Sequence, residues 1–114
     1  MATMDSQNLC ADLAQALQTF WEDYTGVRPA RVQVVAGEQT VAVCLEQVLT
    51  PAEREMASTP DGREMLRELE ERVLEQARPY LQQLIEGAME QEGILAKVHL
   101  DVTRGDVLGF FRLA

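Results

Sequence analysis

Large apolar residues recur every three or four positions from Leu9 through Leu13, Leu17 and Phe20 to Tyr24, which gives that stretch one apolar face when it is wound as an α-helix. Asp5 or Ser6 is placed to cap its start, and Gly26 to stop it. Pro29 disfavours helical geometry at Arg28 and sends the chain into an extended segment. From Arg31 to Val35 the period becomes two, with Val32 and Val34 on one face. Thr40 to Leu49 repeats the pattern through Val41, Val43 and Leu45, and Gly37-Glu38 between the two runs reads as the turn of a β-hairpin.

The junction that follows is the sharpest local signal. Thr50-Pro51-Ala52-Glu53 combines an N-cap hydroxyl, a proline at the first helical position and a glutamate at the third, which is a capping box. The helix it opens is short, because Ser58-Thr59-Pro60-Asp61-Gly62 is a turn cluster. A long helix is expected from about Arg63 to Glu90, its apolar stripe running from Leu66, Leu69 and Val73 to Leu81, Leu84 and Ile85. Pro79 removes one backbone donor from it, which predicts a kink or break near Arg78. After Gly93, Val98, Leu100 and Val102 alternate with His99, Asp101 and Thr103 as a third strand. Arg104-Gly105-Asp106 turns the chain, and Val107 to Leu113 returns as a fourth. The order α-β-β-α-α-β-β predicts an α+β fold: a two-layer sandwich with a four-stranded, mainly antiparallel sheet and the helices on one face, in a single domain over residues 1–114.

Composition sharpens this picture in two places. Aromatic residues make up only 5% of the chain against 46% hydrophobic residues in all, so the core must be mostly aliphatic. The formal net charge of −9 opposes nucleic-acid binding, which draws on Lys and Arg neutralising phosphates, and opposes anionic membrane surfaces equally. The arginines of the long helix, Arg63, Arg67, Arg72 and Arg78, alternate with Glu68, Glu70, Glu71 and Glu75 and read as a solvated, ion-paired face. Met1 to Asn8 has no basic stretch followed by an apolar run, and no segment approaches a membrane span, so a cytoplasmic location without membrane insertion is expected.

Candidate chemistry is sparse. His99, the single histidine, shares the polar face of its strand with Asp101; a His/Asp acid–base pair is conceivable there, but no nucleophile elbow or third member accompanies it. Cys10 and Cys44 are too few for a disulfide framework or a zinc site, and whether they form a redox pair is left open. Arg63 and Arg72 are candidate anchors for a carboxylate or phosphate of a partner or ligand, with His99 and Asp101 as the other candidate contacts. No catalytic residue, cofactor or metal site is assigned, and the chain is not expected to be an enzyme.

Several short segments, taken in order, resemble a bacterial family named after the C component of a sodium-translocating, membrane-potential-generating system (MpsC-like). They are Gly26-Val27-Arg28-Pro29, Val48-Leu49-Thr50-Pro51-Ala52-Glu53-Arg54, Gly62-Arg63, Arg72, Ile85-Glu86, Asp106-Val107 and Phe111-Arg112-Leu113, and they span nearly the whole chain. The resemblance implies an accessory protein linked to sodium or bicarbonate transport, acting on an unknown protein partner such as a membrane transport component. Three readings therefore compete. The first is a protein-interaction module, a homodimer using part of Leu66 to Leu84. The second is a small-ligand sensor with a pocket between sheet and helices, and the third an enzyme built on His99 and Asp101. Co-purified metabolites would separate the first two, and loss of an activity in His99→Ala would support the third.

Overall fold

A computed structural model describes residues 2–113, with side chains described from Asn8 to Leu113; the cap expected at Asp5 or Ser6 lies outside these side chains. Helix α1 (Ala2–Thr25) sends Leu13, Leu17 and Trp21, spaced four apart, into the core. Phe20 and Tyr24 fall on its flank and stack on each other, with ring centroids 5.4 Å apart. Gly26 ends the helix at φ +82°, a left-handed conformation that glycine adopts without strain, and its N–H bonds to Glu22 O at 2.8 Å.

Strands β1 (Arg31–Ala36) and β2 (Thr40–Glu46) pair antiparallel with Val34 opposite Val43. β2 stops three residues short of the expected Leu49. Gln47 takes φ 56°, its N–H bonds to the Asp106 carboxylate at 3.1 Å, and Val48 and Leu49 are buried in the connection instead. Helix α2 (Pro51–Met56) follows, and the capping box is formed: Glu53 N–H donates to Thr50 Oγ1 at 3.1 Å, and Thr50 N–H donates to Glu53 Oε1 at 2.8 Å. Thr50→Ala is expected to lower stability by about 1 kcal/mol, read as a reduced midpoint of urea unfolding with an unchanged slope.

The expected turn cluster is a second helix start. Helix α3 (Pro60–Met89) begins inside it, with Thr59 as N-cap accepting the Gly62 N–H at 3.0 Å and Pro60 in the first turn. α3 is continuous through Pro79. The carbonyl that loses its partner there belongs to Glu75, and both residues are exposed, so water can satisfy it. The buried stripe is Leu66, Glu70, Leu74, Ala77, Leu81, Ile85 and Met89, rotated from the expected one; Leu69 is 50% exposed.

Strands β3 (Gly93–Asp101) and β4 (Asp106–Leu113) complete a four-stranded antiparallel sheet in the order β1-β2-β4-β3. β3 starts five residues before Val98, and an irregularity between Leu95 and Lys97 restores the phase that points Val98 and Leu100 inward. One sheet face, carrying Val41, Val43, Leu45, Leu95, Leu100, Val107 and Phe111, packs against α1 and α3 to make the core; among the described residues nothing covers the other. The element order and the layering are those the sequence predicts.

Candidate functional site

The four candidate contact residues are dispersed. The Arg63 guanidinium donates to Ala57 O at 3.0 Å and ties the end of α2 to the start of α3. Arg72 is exposed on α3. His99 lines a cleft of ≈ 370 Å³ between α3 and β3, together with Arg67, Glu71, Glu75 and Arg78. The Asp101 carboxylate accepts the N–H groups of Thr103 at 3.0 Å and Arg104 at 3.2 Å, which holds the β3–β4 turn. Cys10 on α1 and Cys44 on β2 are free thiols; burial, as the largest cause, raises the pKa of both, so neither is an activated thiolate.

A second cleft of ≈ 370 Å³ opens where α1, α2 and the first half of α3 meet. Trp21 and Tyr24 of α1, Val27, Val48, Leu69 and Val73 supply its apolar wall, and Thr25, Thr50, Glu53, Glu70 and Gln76 its polar groups. Glu70 holds a core position, four residues from Leu66 and four from Leu74, and is only 7% exposed. Burial pushes its carboxyl up to about 7, helped by a hydrogen bond to the Glu53 side chain and by the Glu53 charge. Glu53 also accepts the Thr50 N–H at 2.8 Å, so Glu70 meets the carboxylate that caps α2. Trp21 is 1% exposed, and its indole N–H has no hydrogen-bond partner among the described residues.

Sequence reasoning grouped Glu70 with the solvated acids of the long helix. The signal that would have found it is its phase: leucines stand at four residues on either side, so a helix that buries them must bury Glu70 as well.

The uncovered sheet face forms a third feature. Strand alternation places Val35, Ala42, Cys44, Leu108 and Phe110 in its middle, with Ala42 opposite Phe110 and Cys44 opposite Leu108. Phe110 is 46% exposed, and Ile94, at one end, 65%. Arg112 lies toward the end where β3 begins, Lys97 stands level with Phe110 and His99 with Leu108, and Glu46, Asp101 and Asp106 lie at the opposite end, where Arg31 pairs with Glu46 at 2.8 Å.

A sequence model of the family described as the Na+-translocating membrane potential-generating system (MpsC) matches residues 5–113. The chain belongs to the MpsC family. The match runs from the first turns of α1 to the last residue of β4, so both clefts and the open sheet face lie within the MpsC region. No curated protein and no solved structure matches the chain. The family description links this MpsC chain to a sodium-translocating membrane system, while among its described residues no helix is long and apolar enough to cross a membrane.

Proposed function

We propose that this MpsC-family chain is a cytoplasmic, non-enzymatic accessory module of a sodium-translocating, membrane-potential-generating system, and that it works as a homodimer held by its open sheet face. The observation that carries the reading is the polarised surface of that face: an apolar strip along β2 and β4, with Lys97 beside Phe110, Arg112 beyond it at one end, and Glu46, Asp101 and Asp106 at the other. Two copies related by a two-fold axis perpendicular to the strands lay the basic end of each over the acidic end of the other and press the Leu108–Phe110 rows together. This is the self-complementarity an isologous interface requires. A partner with a single sign of charge would match only half of the face.

This placement moves the expected interface. Leu66, Ala77 and Leu81, within the stretch expected to pair, are already buried against the rest of the same chain. The helical layer is left free in the dimer to meet a membrane component of the system. Family membership supports the association with that system, and an acidic helical layer suits a protein rather than a phosphate backbone or an anionic bilayer as partner.

Sedimentation velocity tests the assembly. The wild type is expected to run near twice its 12.8 kDa chain mass at micromolar concentration. Phe110→Asp is expected to run as a monomer. Lys97→Glu/Arg112→Glu is expected to weaken the dimer about tenfold, because each lost charge pair occurs twice in a two-fold interface. A wild type that stays monomeric, or a Phe110→Asp variant that stays dimeric, overturns the assignment.

A further inference from the structure

We propose that the outer edge of β3 at Val98–Leu100 takes up an extended segment of a partner protein as an added antiparallel strand, and that this segment carries basic side chains two residues apart, placed over Glu75 and Glu71 of α3. The site lies on the sheet edge rather than on the open face, so it stands whether or not the chain dimerises.

An edge strand turns the N–H and C=O of every second residue away from its sheet, and those groups invite another strand unless something covers them. On β3, side chains of α3 cover the first half of the edge. The Glu86 carboxylate accepts the Gly93 N–H at 3.1 Å. The Gln82 amide donates to Gly93 O at 3.2 Å and accepts the Leu95 N–H at 3.1 Å, and the Arg78 guanidinium donates to Leu95 O. The second half is open. On β4, Leu113 N–H bonds to Gln39 O on the β2 side, so alternation turns Leu108 and Asp106 toward β3. His99 and Asp101 face those two residues, which leaves the backbone of Val98 and Leu100 pointing outward past the irregularity at Leu95/Lys97. Their N–H and C=O groups have no partner among the described residues. Val98, His99 and Leu100 line the ≈ 370 Å³ cleft between α3 and β3, which gives a segment its access to this edge.

The α3 wall of that cleft defines the segment that fits. Contacts step along helix and strand together, from Glu86 at Gly93 to Gln82 and Arg78 at Leu95. The next turns of the same helix face bring Glu75 level with Val98 and Glu71 level with Leu100, and both line the cleft. Both glutamates are exposed, and neither makes an ion pair among the described residues, although Arg67 and Arg78 stand on the same helix face. Residues opposite each other on neighbouring strands share a face, and Val98 and Leu100 turn their side chains toward the helices. The added residues that face them therefore point at Glu75 and Glu71, where lysine or arginine is the matching side chain. Arg67 and Arg78 bound the acidic pair and repel a longer basic run, which sets the register. The net charge of −9 favours a basic partner as well. A second copy fits worse: two β3 edges paired about a two-fold axis at His99 would set Glu71 of each against Glu75 of the other.

The test uses the full 15N-labelled chain and three end-blocked hexapeptides. One alternates lysine and valine, the second is the same peptide N-methylated at its lysines, and the third alternates glutamate and valine. N-methylation keeps the charge and removes the N–H groups that donate to Val98 and Leu100 C=O. Each is added to about 5 mM, some tenfold above a ~0.5 mM site. The lysine peptide is expected to shift the Val98, His99 and Leu100 amide resonances saturably and to slow exchange of the Val98 and Leu100 N–H groups about tenfold. Both effects are expected to be lost with the other two peptides. Glu71→Lys/Glu75→Lys is expected to weaken the lysine peptide at least tenfold with an unchanged far-UV circular dichroism spectrum, since both positions are exposed. Absence of a saturable shift with the lysine peptide overturns the proposal. Equal binding of the N-methylated peptide overturns strand addition, and equal binding of the glutamate peptide or undiminished binding by the double variant overturns the charge selection. Val98 and Leu100 amides that exchange more slowly as the free chain is concentrated assign the edge to a second copy and overturn the proposal too.

Discussion

Gly62→Ala is expected to destabilise the protein by about 3 kcal/mol or more, a large fraction of the stability of a domain this size. A Cβ at this position would stand 1.9 Å from the Met56 carbonyl oxygen and 2.8 Å from Thr59 Oγ1. Neither neighbour can yield cheaply. Met56 O is backbone at the end of α2, and Thr59 is the N-cap of α3, its hydroxyl accepting the Gly62 N–H. The corner between the two helices closes only because residue 62 has no side chain. Gly87→Ala is the matched control: it lies inside α3 with nothing within 4 Å of its Cβ, so the same substitution is expected to stabilise by ~0.5–1 kcal/mol through helix propensity. Urea unfolding of both variants, read by far-UV circular dichroism, checks the pair; equal midpoints would mean that the α2–α3 corner has slack.

Glu70→Gln is expected to leave stability nearly unchanged at pH 5 and to raise it by roughly 2 kcal/mol at pH 8. The folded-state pKa of about 7 lies above the ordinary value of 4.5. Between those two values the folded protein keeps a proton that the unfolded chain gives up, so stability falls as pH rises through this window, and the loss is complete above it. The full shift corresponds to ~3 kcal/mol, and contact of the carboxyl with the cleft reduces that figure. Glutamine stays neutral at every pH and retains an N–H donor for Glu53. Thermal unfolding of both proteins from pH 5 to pH 8 checks the prediction. Parallel curves would show that Glu70 titrates normally.

Gly62 and Glu70 also mark where the sequence is readable and where it is not. Periodicity located all seven elements, because each carries its own local signal: alternation at Val32/Val34 and at Val98/Leu100, and the capping box at Thr50 to Glu53. That two hairpins form one antiparallel sheet was legible as well; that they join along β2 and β4 was not. Ser58 to Gly62 was read as a turn, since Thr, Pro, Asp and Gly suit a loop and a helix start equally; the packing of Gly62 on Met56 decides between them. Pro79 predicts a kink or break, yet α3 continues through it, at exposed positions where water can satisfy the freed carbonyl. The α1–α2–α3 cleft was not legible at all. Its parts, Trp21, Thr50, Glu53 and Glu70, lie on three helices whose mutual placement no local pattern encodes. The open sheet face was half legible: alternation gave its residues, while the opposed charge at its two ends needed the register.

The pairing of β2 with β4 has a kinetic consequence. Each hairpin closes through a short connection, but Val41 meets Phe111 only after the whole helical segment between them has been laid down. The centre of the sheet is thus its most non-local part, and a domain assembled this way folds more slowly than a helical bundle of equal length. Closing so long a loop is easier once α3 is wound, because a helix rises only ~1.5 Å per residue and brings the hairpins within reach. Amide exchange should follow the same order. The β2–β4 ladder is expected to exchange last and at the rate of global unfolding, while β1, on the sheet edge, opens earlier on its own.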